Sequence, residues 1–117
     1  MTSRTRVMYL NDETIEANSR FFDGDLSQVP KSSLTVGVGT VMDAREVMVI
    51  CTGANKALAV AQCIEEGVNH MWTVSMVQLH PNALVLCDEE ATSELKVKTV
   101  KYFKSVEAAE LRTAARL

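Results

Sequence analysis

Three observations predict an α/β fold with a mostly parallel sheet flanked by helices. Short runs at 34–38, 47–50 and 83–87 have the length and composition of buried strands. Helix-forming segments separate them, and no hairpin turn signal joins one to the next. The third observation is the stretch Val47-Met48-Val49-Ile50-Cys51-Thr52-Gly53-Ala54-Asn55-Lys56, an apolar run that ends in a small-residue turn and delivers a lysine to the start of a helix. In open α/β sheets ligands bind beyond the carboxyl ends of the strands, where a helix N-terminus offers free N–H donors and a partial positive charge. On this pattern Lys56 reads either as a cation in an anion site or as a solvated lysine in a turn that binds nothing.

A chain of 117 residues has room for one core, so a single domain over 1–117 is expected. The hydrophobic fraction of 47% and charged fraction of 23% belong to ordinary globular proteins. Aromatic residues make up only 5%, which leaves the core to Val, Leu, Ile, Met and Ala. A net charge of −3 with interspersed signs gives no footprint for nucleic acid, and no Lys/Arg run suggests a membrane surface, so neither is expected as a partner. Cys51, Cys63 and Cys87 form no C-x-x-C pair, and their odd count argues against a disulfide framework. A reduced, cytoplasmic protein is the expectation. No apolar run approaches the length of a bilayer span.

Taken in order, 4–10 reads as a short strand in which Thr5, Val7 and Tyr9 alternate with Arg6 and Met8. Asn11 or Asp12 caps a helix with an acidic first turn, whose Ile15, Asn18, Ser19 and Phe22 share one face and which stops at Asp23-Gly24. Arg20 rides near its end, where spacing alone reads it as a dipole partner or a surface ion pair. A loop follows over 25–31, then the strand at 34–38. There the Gly37/Gly39 spacing suggests close backbone approach rather than a dinucleotide fingerprint, since no G-x-G-x-x-G follows. Residues 40–45 make a helical turn or two with Thr40 as cap. The helix 55–66 carries Leu58, Val60, Ala61 and Ile64, ends at Gly67, and is expected to be substantially buried. Its entry turn lacks the G-x-x-x-x-G-K-[ST] spacing of a P-loop.

Residues 68–80 read as a short strand or loop followed by a helical turn, flanked by His70 and His80. Neither histidine has a metal-ligand partner at helical or short-loop spacing, so both read as hydrogen-bonded structural residues. The acids Asp88, Glu89 and Glu90 after the 83–87 strand precede Thr92 and a helix over 93–104, which makes them first-turn stabilisers rather than a catalytic cluster. Leu95, Thr99, Tyr102, Phe103 and Val106 make that helix's apolar stripe, and the tail continues or frays. A sheet this small exposes an edge, which calls for partner strands from another copy or from a missing part of the chain.

The words Ser3-Arg4-Thr5-Arg6, Ala17-Asn18-Ser19-Arg20-Phe21-Phe22, Leu34-Thr35-Val36-Gly37-Val38-Gly39-Thr40, Lys56-Ala57, Val68-Asn69-His70-Met71-Trp72-Thr73-Val74-Ser75, Leu79-His80-Pro81, Cys87-Asp88-Glu89 and Glu94-Leu95-Lys96-Val97-Lys98-Thr99 together resemble the C-terminal half of the glucosamine-6-phosphate deaminase family, from Ser3 to about Phe103. The resemblance implies a modified Rossmann-like fold and an enzyme of amino-sugar metabolism, a hydrolase-type deaminase. Its reaction converts glucosamine 6-phosphate and water to fructose 6-phosphate and ammonia, with no metal or organic cofactor. By position, Arg20 and Lys56 match the residues that hold the substrate phosphate, a role suited to a bidentate guanidinium and a point-charge ammonium. Arg6 and Tyr102 match residues of the allosteric pocket of some hexameric bacterial members, but Met8 replaces that pocket's lysine, and a thioether cannot pair with a phosphate. The family's phosphate loop, aspartate base and D-x-H…E ring-opening group have no counterpart here, and the tail 112–117 also departs from the family.

The resemblance therefore implies no catalytic residue in this chain and an inactive isolated chain. Its partners would be a sugar phosphate and either further copies or the missing N-terminal half. The alternative is a non-catalytic module that binds a sugar phosphate or pairs with another subunit. A third possibility is a chain that does not fold stably alone.

Overall fold

Alternation of β-branched runs with capped helical segments resolves, in a computed structural model, into four strands and four α-helices over residues 1–116. Leu117 lies outside the described residues. The elements group into two units, Met1–Asp43 and the stretch from Ala44 onward.

In the first unit, β1 (Arg6–Tyr9) leads into α1 (Asp12–Asn18). The Asn11 side chain caps α1 by accepting from the Thr14 N–H at 2.8 Å, and Asp12 and Glu13 occupy the positive first turn. The helix tightens to a 3-10 turn over Ser19–Phe22 and stops where Asp23 (φ 54°) and Gly24 (φ 79°) turn left-handed. Ile15, Asn18, Ser19 and Phe22 are its half-buried face, as the spacing predicts. The loop from Asp25 holds a 3-10 turn, Leu26–Gln28, capped by the Asp25 carboxylate on the Ser27 N–H, and it seats Val29, the one buried apolar side chain of this unit.

Strand β2 is Ser32–Thr35, two residues earlier than the sequence indicates. It ends because Ser3 docks on the segment that follows. The Ser3 hydroxyl accepts from the Val38 N–H at 3.0 Å and its carbonyl accepts from the Gly39 N–H at 2.9 Å, which starts α2 (Val38–Met42) with Gly37 rather than Thr40 at the cap. A Cβ on Gly37 would sit 2.1 Å from the Ser3 carbonyl oxygen, so the expected close backbone approach is real and only glycine fits. Arg4 and Asp43 close the unit as an ion pair.

Strands β1 and β2 pair antiparallel, Arg6 opposite Thr35 and Tyr9 opposite Ser32. The mostly parallel expectation does not extend to this pair, because α1 and its 3-10 extension return the chain beside β1 instead of carrying it back to the start of the strand.

The second unit carries the predicted parallel pairing. Strand β3 (Val47–Cys51) lies parallel to β4 (Ala83–Cys87), Val47 opposite Ala83 and Cys51 opposite Cys87. Between them, a 3-10 turn over Ala54–Lys56 opens α3 (Ala57–Ile64), and a second 3-10 stretch covers Thr73–Leu79. Ala57, Val60 and Cys63 recur at helical spacing and are buried, whereas Leu58 is exposed, so α3 buries one stripe only. The strands are likewise half buried. Val47, Val49, Cys51, Val85 and Cys87 are partly covered, while Met48, Ile50, Leu84 and Leu86 on the other face are open to solvent.

Helix α4 (Val97–Ala114) starts four residues later than the sequence indicates and runs on through the predicted tail. The acids of 88–90 head a separate 3-10 turn, Glu90–Thr92. Of the predicted stripe, Leu95 and Thr99 are half buried, but Tyr102, Phe103 and Val106 are exposed.

Candidate functional site

Lys56 is positioned by the turn that leaves β3. Thr52 and Gly53 break the strand, and Gly53 adopts φ 83°, a conformation that glycine alone enters without strain. The Lys56 N–H closes the turn on the Gly53 carbonyl at 3.1 Å, and Ala57, immediately after it, is buried. Lys56 itself is exposed at the head of α3. Among the described residues the one ion pair is Arg4 with Asp43, so the Lys56 ammonium carries no carboxylate partner.

Asp88 fixes this turn from the end of the neighbouring strand. Its carboxylate accepts from the Gly53 N–H (3.1 Å to Oδ1, 2.9 Å to Oδ2) and from the Ala91 N–H at 2.8 Å. The acid therefore caps a separate 3-10 turn rather than the first turn of the helix expected over 93–104, and it also spans 35 residues of sequence to hold the Lys56 turn. No sequence signal announces that second role, because nothing local relates Asp88 to Gly53.

Below the turn the scaffold is tied by buried polar groups. The His80 ring, 8% exposed, accepts from the Asn82 N–H at Nδ1 (3.0 Å) and therefore donates from Nε2 to the Ala44 carbonyl (2.8 Å). That is the structural role expected of it. Ser75 is fully buried and its hydroxyl both accepts from the Asn69 N–H (3.0 Å) and donates to the Asn69 carbonyl (3.3 Å). Asn69 Oδ1 in turn accepts from the Trp72 N–H at 3.0 Å, which shapes the Asn69-His70-Met71-Trp72 loop. His70 is exposed.

Cys51, Cys63 and Cys87 are free thiols. Burial, with a smaller contribution from the neighbouring thiols, pushes Cys63 above its ordinary value of 9.0, and burial does the same for Cys87. Such thiols stay protonated at neutral pH and make poor nucleophiles. No group of three or more His, Cys, Asp or Glu among the described residues is arranged to hold a metal ion.

Arg20 belongs to the first unit and Lys56 to the second. Arg20 sits in the 3-10 turn with its guanidinium 4.7 Å from the centre of the Phe21 ring, a cation–π contact rather than the ion pair that spacing allowed. Arg6, on β1, donates to the Arg4 carbonyl at 3.1 Å. Tyr102 meets Phe103 edge-to-face, centroids 5.2 Å apart, and lines a shallow cleft of about 400 Å³ with Glu65, Lys96, Lys98 and Thr99. Glu65 organises this cleft. Its carboxylate accepts from the Lys96 N–H (3.1 Å) and the Thr99 hydroxyl (2.8 Å), capping α4 from 31 residues away.

No family model matches the chain. Curated relatives do. The glucosamine-6-phosphate deaminase of Drosophila melanogaster is 65% identical over 106 residues, 91% of this chain and 39% of the relative. Glucosamine-6-phosphate deaminase 1 of Bos taurus is 67% identical, over 91% of this chain and 37% of the relative. That of Vibrio cholerae is 60% identical, over 92% and 41%. A solved monomeric glucosamine-6-phosphate deaminase, described as a missing link of the NagB superfamily, superposes with a TM-score of 0.72 at 36% identity, covering 79% of this chain and 38% of that one. The chain thus spans about two-fifths of the length of the relatives it matches. With its α/β architecture and identities of this size over nearly all its own length, the chain is homologous to about two-fifths of the length of these glucosamine-6-phosphate deaminases.

Proposed function

We propose that the chain supplies a phosphate-holding part of a glucosamine-6-phosphate deaminase, the enzyme that converts glucosamine 6-phosphate and water to fructose 6-phosphate and ammonia. The observation that carries this reading is the Gly53 turn, which presents the unpaired Lys56 ammonium at the head of α3. Arg20 is the second phosphate ligand by its match to the family. Arg6 and Tyr102 remain candidates for an effector pocket, weakened for a phosphate effector by Met8. That both units form one domain of this family belongs to the same proposal.

The chemistry requires a base to move a proton between C2 and C1 and a group to open the sugar ring. The residues that match those roles in the family have no counterpart in 1–117, and each such group is worth about 10²–10⁴ in rate. The chain alone is therefore proposed to bind without turning over, and to act together with further copies or with the family's remaining residues. Three free thiols, two of them raised by burial, suit a reducing cytoplasmic setting. No described helix is long and apolar enough to cross a membrane.

The test is a binding titration with glucosamine 6-phosphate alongside an ammonia-release assay. Expected are saturable binding, competed by inorganic phosphate and weakened at least about tenfold in Lys56→Ala, and no ammonia. Binding unchanged in Lys56→Ala removes the phosphate role, and ammonia release by the purified chain overturns the inactivity.

A further inference from the structure

Two of the three free thiols face each other. In the parallel pair of β3 and β4 the last matched residues are Cys51 and Cys87, directly opposite in register. Opposed residues of such a pair carry their side chains to the same face, and the strands lie about 4.8 Å apart, inside the Cα separation of about 4.4–6.8 Å that a disulfide spans. Both cysteines are half buried, so a small reagent reaches them. Cys63 on α3 is only 2% exposed, and its thiol is engaged as a donor to the Val74 carbonyl at 3.6 Å.

The surroundings of the pair fix its register. The Asp88 N–H donates to the Cys51 carbonyl at 3.3 Å, and the Asp88 carboxylate accepts from the Gly53 N–H, two residues beyond Cys51. A slip of one residue would break these contacts and turn one cysteine to the opposite face. The two thiols are therefore held together at the base of the Lys56 turn. Each is close enough to act on the other's proton: after burial, the charge of Cys51 is the next cause that raises Cys87.

We propose that Cys51 and Cys87 form a dithiol that a small disulfide of the glutathione type converts to an intramolecular cross-link, bracing the base of the Lys56 turn. One protein thiol gives up its proton and attacks a sulfur of the small disulfide, which breaks that S–S bond, expels one small thiolate and leaves a mixed disulfide. The facing thiol then gives up its proton and attacks the protein sulfur of the mixed disulfide, expelling the second small thiolate. Two protein thiols are oxidised to one disulfide, one small disulfide is reduced to two thiols, and the two protons pass to the departing thiolates. Burial slows the first attack. The second is intramolecular, with its partner already opposite, so the mixed disulfide does not accumulate. The product closes a loop over 52–86 that contains Lys56 and α3, and closure of that loop restricts the unfolded chain.

The experiment incubates the purified full chain in graded ratios of reduced to oxidised glutathione and reads the free thiols, the mass and the cysteine-bearing peptides. Expected is a fall from three free thiols to one in a chain that stays uncross-linked to other copies, with Cys51 joined to Cys87 and the change reversed by a dithiol reductant. The oxidised chain should melt roughly 10 °C above the reduced one. Cys63→Ala cross-links as the parent does, whereas Cys51→Ala and Cys87→Ala stop at the mixed disulfide. Three thiols retained in oxidised glutathione overturn the inference, as does a pairing that includes Cys63 or joins two copies. A melting temperature that oxidation leaves unchanged or lowers overturns the bracing. Peptide mapping uses the unmutated chain, so the assignment stands or falls even if a variant fails to fold. No readout involves a sugar phosphate, so the result is independent of the phosphate role of Lys56.

Discussion

The two units carry their proposed phosphate-holding cations on different foundations. Lys56 stands on a turn locked by Asp88, in a unit that buries Val60, Ala91, Ser75 and His80. Arg20 stands on a short 3-10 turn without a buried residue and leans on its own neighbour, Phe21, which is 69% exposed. A rigid shell holds a group in binding geometry at no further entropic cost, whereas an exposed arginine must be ordered when its ligand arrives. The lysine half is therefore pre-organised and the arginine half adaptable.

The sharpest way to break this contrast is to remove the foundation. Val60 is 1% exposed, and Val60→Asp buries an unpaired charge; a loss of about 4 kcal/mol or more, measured by urea denaturation, is expected to unfold the second unit. Asp88→Ala frees the Gly53 and Ala91 N–H groups. Because Asp88 is exposed, the stability cost is about 1 kcal/mol, and sugar-phosphate binding should weaken although the lysine is untouched. A smaller effect is expected at alkaline pH. Cys63 holds its proton to a higher pH when folded than when unfolded, so its contribution is fully present below about pH 9 and is lost as pH rises through the folded value. Cys63→Ala should flatten that alkaline arm in melts recorded across it. Last, Arg20→Ala removes an exposed cation–π contact and should shift stability by less than about 0.5 kcal/mol while weakening sugar-phosphate binding. A stability loss comparable to that of Asp88→Ala would erase the distinction between the two foundations.

Legibility in the sequence follows the same division between local and distant causes. The Asn11 cap, the Asp23-Gly24 stop, the β3 turn and the half-buried face of α1 were readable because each depends on residues within a turn or two of one another. The early end of β2 was not, because Ser3 arrests it from across the unit. Nor was the start of α4, which Glu65 fastens from 31 residues away. Apolar runs mark strands but do not say how many faces are covered; Met48 and Leu84 were expected to be buried because the rule assumes both layers. The position of Lys56 at the head of α3 is legible from its turn, its proposed phosphate role rests on family resemblance, and the sequence marks Asp88 only as a first-turn stabiliser.

Helix α4 is built as a cantilever. Its first turn is fastened by Glu65, and from Lys101 to Ala114 every residue is exposed. An isolated helix of this length is marginal in water, so its order decays with distance from the clamp. Leverage applied near Leu111 is resisted at a single carboxylate. Glu65→Ala would loosen the whole arm at its root, and amide exchange along α4 should then quicken first at its otherwise slowest end.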